Sequence, residues 1–160
     1  MQLELDELWS FVRTKSGKCW VWLALSKQTL QVVACVLGGR GFEALNPAAR
    51  GLSQFGDLEP RIETCQKLWS NIPQTYKQGT LFSDFWDAYQ AVIPDDQHQA
   101  VGKDSGLTAQ VERFNNTLRQ RLARFVRKTP SFPKSEHMHL ICLHIFLVRY
   151  NLDILENSLA

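Results

Sequence analysis

The stretch TLFSDFWDAYQAVI, residues 80–93, is the part of the sequence that decides the fold class. Thr80 to Ser83 is a short β-prone run, and Asp84 follows at its carboxyl end. Phe85 to Ile93 then has the apolar spacing of a helix, which Pro94 ends because proline disfavours helical conformation in the residue before it. The stretch therefore predicts a strand, an acid and a helix in succession, a β-Asp-α unit.

Three β-rich runs precede this unit and predict an antiparallel meander. They are Leu3 to Val12, Cys19 to Ser26 and Gln31 to Leu37, and the last two are joined by a short polar segment. In the first run, leucine and aromatic residues alternate with polar ones, so that Asp6 lies mid-strand and faces away from most of the apolar side chains.

The segments around the β-Asp-α unit complete a mixed α/β order. Phe42 to Pro60 contains breakers and is predicted to be irregular or partly helical, and 41–61 has the character of an insertion. Ile62 to Trp69 has helical spacing that ends before Pro73, and His98 to Val101 is a plausible last strand.

Two helices are predicted after the last strand. The first runs from about Thr108 to Lys128, with Ser105 or Thr108 as its cap, and stops before Pro130. The second, roughly Ser135 to Leu152, is apolar enough to pack across a sheet. The predicted architecture is a single α/β domain over residues 1–160.

Composition narrows the class of protein further. At 160 residues and 44% hydrophobic content, the chain can bury one sizeable core. No signal peptide is visible, and no run reaches about eighteen apolar residues, so a cytoplasmic protein without membrane contact is expected. The four cysteines are far apart, without a Cys-x-x-Cys pair, and are expected to be reduced.

Positive charge is concentrated in the first of the two predicted helices. Between Ala109 and Lys128 there are six basic residues and one acid, Glu112, although the whole chain has a net charge of only +2. Arginine dominates, and its guanidinium suits bidentate phosphate contacts, so this segment is predicted to bind the DNA backbone. The candidate DNA-binding residues are Arg113, Asn116, Arg119, Arg121, Arg124, Arg127 and Lys128.

Three acids on separate elements form the candidate catalytic site. Asp6 and Asp84 are expected at one side of the sheet, and Glu112 comes from a helix that can pack beside them. Such a cluster would be costly without divalent cations, so Mg²⁺ or Mn²⁺ is expected, two ions acting on a phosphodiester. Glu7 and Asp87 are rivals for the first two positions, but strand alternation puts Glu7 on the opposite face from Asp6.

Four segments of the sequence resemble the insertion sequence 1 family of bacterial transposases. They are LDELWSF (residues 5–11), FSDFWDAY (82–89), VERFNNTLRQRLARFVRKT (111–129) and SFPKS (131–135). The third is long and specific, whereas the first two would be weak alone. The resemblance covers nearly the whole chain, and the family's Asp, Asp and Glu triad falls on Asp6, Asp84 and Glu112.

The resemblance implies an RNase H-like fold of the retroviral integrase superfamily, a mixed sheet flanked by helices. It also implies Mg²⁺-dependent hydrolysis at the transposon 3′ ends and attack of those ends on target DNA. The family carries a zinc-binding and helix-turn-helix region upstream, commonly joined by frameshifting. That region is expected to be absent here and to act as a partner, with a homo-oligomer assembling on DNA. The alternatives are an RNase H-like nuclease without strand transfer and an inactive or inhibitory DNA-binding fragment.

Overall fold

A computed structural model describes residues 1–14, 18–38, 59–85, 87–126 and 131–159, which form five strands and four α-helices. The strands are β1 (Gln2–Phe11), β2 (Lys18–Ser26), β3 (Val32–Gly38), β4 (Thr80–Ser83) and β5 (His98–Ala100). The helices are α1 (Glu59–Asn71), α2 (Asp87–Val92), α3 (Ala109–Arg121) and α4 (Glu136–Leu159). This order confirms the predicted mixed α/β arrangement.

The five strands form one mixed sheet in the order β3-β2-β1-β4-β5. β1 pairs antiparallel with β2, and β2 with β3, which confirms the predicted meander. On the other side, β1 pairs parallel with β4, and β4 with β5. The sheet therefore changes from antiparallel to parallel pairing at β1.

Alternation along the strands divides the core between two faces of the sheet. Leu3 and Leu5 belong to the cluster that includes residues of α1 and α2. Leu8 belongs to a second cluster, formed with residues of α3 and α4. Because neighbouring side chains of a strand point to opposite faces, the even-numbered positions Glu4 and Asp6 share the α3 side with Leu8.

The predicted long basic helix is shorter than expected. α3 ends at Arg121, Leu122 adopts an extended conformation, and Ala123–Phe125 forms a 3₁₀ turn. The break lets Phe125 stack on His139 of α4, with ring centroids 4.2 Å apart, and both side chains are buried. Tertiary packing thus ends the helix before residue 128, and Arg124 no longer continues the face of α3.

The other helices also differ from prediction at their boundaries. α2 spans Asp87–Val92 rather than Phe85 to Ile93. α1 begins at Glu59 rather than at Ile62, with Pro60 in its first turn, where its missing N–H costs nothing. α4 continues to Leu159 rather than ending at Leu152. The proposed insertion 41–61 lies mostly outside the described residues, and so do Arg127 and Lys128. All four cysteines are free, as predicted.

The expectation that no segment could cross a membrane requires correction. α4 is long and apolar enough to do so by length and composition, and 17% of its most apolar window is buried within the protein. A single helix that passes this test is weak evidence for a membrane span. Leu143 and Leu147 of this helix are buried in the second core cluster, which fastens it to the sheet.

Candidate active site

The candidate site lies where β1 and β4 part. Their parallel pairing places Glu4 opposite Phe82 and stops there. Continuing this register by two residues brings Asp6 level with Asp84, which directly follows β4. Adjacent strands are about 4.8 Å apart, and residues paired in a parallel ladder share a face, so both aspartates are positioned at the same opening of the sheet.

A residue of helix α3 binds the Asp6 carboxylate. The side-chain amide of Asn115 donates a hydrogen bond to Asp6 Oδ2 over 2.6 Å. The pKa of Asp6 is nevertheless raised from 3.8 to about 6, first by burial and then also by the negative charges of Asp84 and Glu112. A backbone hydrogen bond at Glu7 and the hydrogen bond from Asn115 lower the pKa of Asp6 and so partly offset this rise. The three predicted acids are therefore close enough to repel one another.

Asp84, which directly follows β4, has one buried carboxylate oxygen. Its Oδ1 has no hydrogen-bond partner. The preceding Ser83 is buried, and its hydroxyl donates to the Asp84 carbonyl over 2.9 Å and lies 2.7 Å from His98 Nε2 on β5. These contacts fix the end of β4 against β5. An unpartnered buried carboxylate oxygen costs free energy, which a ligand with positive charge would offset.

Glu112 contributes to an open pocket of about 220 Å³ beside Asp6. Glu112, Asn115, Asn116 and Arg119 lie three or four residues apart along α3, so they share one face of that helix. The pocket is lined by Asp6, Glu7, Glu112, Asn115, Asn116 and Arg119.

The three predicted acids are not arranged as a complete set of metal ligands. Across the described ranges, no three His, Cys, Asp or Glu side chains are close enough together to hold a metal ion. Glu112 is exposed, and one oxygen of Asp6 is occupied by Asn115. The assignment of Asp6, Asp84 and Glu112 as metal ligands and catalytic residues therefore stays a prediction.

The two rival acids occupy different surroundings. Glu7 acts on the opposite face of the sheet, where burial first and the Glu7 carboxylate second hold the pKa of Tyr89 well above its usual value. Glu7 also reaches the rim of the pocket. Asp87 is exposed in the first turn of α2. The predicted separation of Asp6 and Glu7 by strand alternation therefore agrees with their environments.

Glu4 is a structural residue of the site that sequence reasoning missed. It is fully buried, and its Oε2 accepts hydrogen bonds from the backbone N–H groups of Gln110 and Val111, at 2.8 and 2.9 Å. Its other oxygen lies 3.8 Å from the ammonium of Lys27. Thr108, the residue at the N-cap position of α3, makes no side-chain cap bond. A carboxylate from β1 thus caps the helix from outside, which only the tertiary fold reveals.

This cap places Glu112, because Glu112 directly follows Val111. The carboxylate also interacts favourably with the positive end of the helix dipole. Together with the Asn115 to Asp6 bond, it fastens α3 to β1 at two points one turn apart. The position of Glu112 beside Asp6 therefore depends on Glu4.

We expect Glu4→Gln to lower the free energy of unfolding by about 1–3 kcal/mol, because two hydrogen bonds lose their charge assistance. Glu4→Ala should cost more, since it leaves two buried N–H groups without an acceptor. Urea denaturation measures both. Glu63→Gln, in an exposed pair with Lys67 on α1, is the control and should leave the midpoint unchanged. Equal midpoints for Glu4→Gln and wild type would contradict the role of Glu4.

The basic residues do not share one face. Arg119 lines the pocket with Glu112. Arg121 lies near Tyr150, where it opposes the rise in the phenol pKa that burial causes. Arg124 lies near His139, whose pKa is lowered to about 4, mainly by burial and in part by Arg124. Of the described basic residues, Arg119 is thus the one on the pocket wall.

Fold and site together define a mixed α/β domain with an acidic pocket between strand β1 and helix α3. Comparison with known proteins then identifies the family. The profile of the IS1 transposase family matches residues 1–57 and 53–151. The chain belongs to this family, which confirms the resemblance seen in its motifs.

Individual relatives agree with this membership. The chain is 33% identical over 147 residues to the insertion element iso-IS1n protein InsB of Shigella dysenteriae, covering 92% of this chain and 94% of the relative. It is 31% identical over 136 residues to the insertion element IS1 4 protein InsB of Escherichia coli K12, covering 85% and 67%. The IS1 InsB protein of Shigella sonnei is also 31% identical, with 85% and 86% covered. No solved structure matches the chain.

Proposed function

We propose that this chain is the catalytic part of a transposase that cleaves insertion-sequence ends and joins them to target DNA. The observation that carries the proposal is the register that brings Asp6 level with Asp84, while α3 presents Glu112 to the same opening. Membership of the IS1 transposase family supports the transposase role. A five-stranded mixed sheet flanked by helices supports the RNase H-like class as part of the same proposal.

Carboxylates of the kind that a hard divalent cation prefers lie on β1, directly after β4 and on α3, although no three of the described acids are close enough together to hold an ion in this structure. Asp84 has an unpartnered buried oxygen, and the pKa of Asp6 is raised by burial and by two acidic neighbours. Magnesium and manganese prefer oxygen ligands, and Asp6, Asp84 and Glu112 would hold them. When bound as a pair, as in other phosphoryl-transfer enzymes, the ions would supply charge stabilisation at the attacking and leaving oxygens of a phosphodiester.

The chain's own residues then have separate tasks in this proposal. Asn115 orients the Asp6 carboxylate, and Glu4 fixes α3, the helix that carries Glu112. The Arg119 guanidinium on the pocket wall can pair with a phosphate next to the cleaved bond. The DNA-binding set proposed from sequence is Arg113, Asn116, Arg119, Arg121, Arg124, Arg127 and Lys128.

A strand-transfer assay tests the proposed function. Pre-cut insertion-sequence ends with a free 3′-hydroxyl are mixed with target plasmid, Mg²⁺ and the chain fused to an upstream DNA-binding region. Joined products support the transposase. Cleavage without joining would indicate a nuclease, and DNA binding without cleavage or joining would indicate an inhibitory fragment. The proposed partners are thus the transposon ends, target DNA and the upstream region, in the bacterial cytoplasm.

DNA binding by the chain itself should show little sequence preference and a steep dependence on salt. Each phosphate contact releases counterions and contributes about −0.9 to the slope of log affinity against log salt concentration. Four phosphate contacts would therefore give a slope of roughly −4. Titrations against transposon-end and scrambled duplexes at several salt concentrations measure both properties. A hundredfold preference for the ends that persists at high salt would contradict this prediction.

Arg119→Gln should make that slope shallower by about 0.9, the value of one phosphate contact. Lys67→Gln removes the same charge from α1, on the other face of the sheet, and is the matched control. If the two variants have equal slopes, Arg119 does not contact a DNA phosphate.

A further inference from the structure

Asp84 lies just beyond the end of a strand, where the pairing between strands no longer holds its backbone. β4 ends at Ser83, and α2 begins at Asp87. On the amino-terminal side of Asp84, the Val101 N–H donates a hydrogen bond to the Ser83 carbonyl over 2.8 Å. On the other side, the Ser83 hydroxyl donates to the Asp84 carbonyl over 2.9 Å. These bonds hold the backbone before and after the Asp84 Cα atom, and therefore fix the direction in which its side chain leaves the chain.

The Ser83 hydroxyl is held in turn by His98 of β5. Ser83 is fully buried, and its oxygen lies 2.7 Å from His98 Nε2. A serine hydroxyl has a single proton, and here that proton points to the Asp84 carbonyl. The proton between the two side chains must therefore come from Nε2, so that His98 donates and Ser83 accepts. This direction requires the tautomer of His98 that carries its proton on Nε2.

The surroundings of His98 favour a neutral ring in a defined position. The ring of Tyr89, which is fully buried on α2, has its centroid 6.4 Å from that of His98, a usual distance for packed rings. Burial lowers the pKa of His98, and the charge of Asp95 opposes this only in part. A neutral imidazole has one N–H, so the bond to Ser83 uses the single proton of the ring.

We propose that His98 is a positioning residue for the Asp84 carboxylate, acting through the Ser83 hydroxyl and the Asp84 carbonyl. This role rests on the proposed function, which requires Asp84 to act at the cleaved phosphodiester. Without the His98 N–H, the Ser83 hydroxyl is free to rotate, and the backbone after Asp84 loses its anchor. Partners that orient a site residue from outside contribute about 10- to 100-fold to activity in comparable sites.

Strand joining by the chain fused to an upstream DNA-binding region tests this role. His98→Leu removes the donor and should lower kcat by about tenfold or more, while KM for DNA changes little, because the geometry at Asp84 changes rather than the DNA contacts. His98→Gln keeps an N–H close to the position of Nε2 and should recover most of the rate. His144→Leu, on the exposed side of α4, is the matched control and should join DNA as wild type does.

A double variant distinguishes a connected pair from two unrelated losses. Ser83→Ala should lower kcat about as much as His98→Leu does. Ser83→Ala and His98→Leu together should lower it no further than either alone, because both break the same connection. Two losses that multiply would overturn the proposal.

Nitrogen–proton NMR correlation spectra of the wild-type chain without metal test the direction of the hydrogen bond independently of activity. A proton on Nε2 of His98 at neutral pH supports the proposal. A proton on Nδ1 alone would mean that Ser83 donates to His98 instead of to Asp84, which overturns it. An inactive wild type would overturn the proposed function and this role together, whereas an active wild type with an equally active His98→Leu variant overturns the role of His98 alone.

Discussion

Replacing Glu112 by glutamine is expected to reduce strand cleavage and joining by about a thousandfold or more in Mg²⁺. The substitution keeps the size of the side chain but replaces a charged oxygen ligand by a neutral amide. Losing about 4 kcal/mol of transition-state stabilisation corresponds to about a thousandfold in rate. DNA affinity should be equal or slightly higher, because a negative charge facing phosphate disappears.

Two measurements separate this expectation from a folding defect. Glu112 is exposed, so urea denaturation of Glu112→Gln should give nearly the midpoint of wild type. Glu63→Gln, an equally conservative change on α1, should retain full activity. Full activity of Glu112→Gln in Mg²⁺ would show that another acid carries the catalytic role.

Much of the fold could be predicted from the alternation of apolar and polar residues in the strands. The alternation in β1 placed Asp6 and Glu7 on different faces, and each acid is found in different surroundings. The β-Asp-α unit could be predicted because β4 is a short β-prone run of four residues and an acid, Asp84, follows it directly. These are local signals, which a single sequence contains.

Contacts between residues far apart in the sequence could not be predicted from such local patterns. The Glu4 carboxylate caps α3 across more than a hundred residues, and no motif near Thr108 indicates that its own cap is missing. The end of α3 depends on the stacking of Phe125 on His139, again a tertiary contact. Helical periodicity continues past Arg121 in the sequence, so Arg124 is predicted to lie on the same helix, whereas it lies in the 3₁₀ turn that follows α3.

Asp6→Asn is expected to stabilise the metal-free protein at neutral pH while abolishing its catalytic activity. The pKa of Asp6 is about 6 in the folded protein, against an ordinary value of 3.8. The folded state therefore binds a proton more tightly than the unfolded chain. Stability from this group is complete below about pH 4 and is lost as the pH rises through 6.

At pH 7.5 the ionised Asp6 should cost the folded protein about 3 kcal/mol, since each unit of raised pKa corresponds to about 1.4 kcal/mol. Asparagine removes this cost and can still accept the hydrogen bond from Asn115. The variant should therefore exceed wild type in urea denaturation at pH 7.5, and the difference should vanish near pH 4. Asp96→Asn, in an exposed loop, should show neither effect.

Magnesium should reverse the order of stability. A cation bound by Asp6 and its acidic neighbours neutralises the repulsion and stabilises the folded state in proportion to the logarithm of its concentration. Wild type should gain stability as Mg²⁺ is added, whereas Asp6→Asn should gain little, because it lacks a ligand. If Asp6→Asn is no more stable than wild type without metal, burial and the neighbouring acids do not raise the pKa of Asp6 in the folded protein as described. If Mg²⁺ stabilises both proteins equally, the cation binds elsewhere, and the catalytic assignment of Asp6 fails with it.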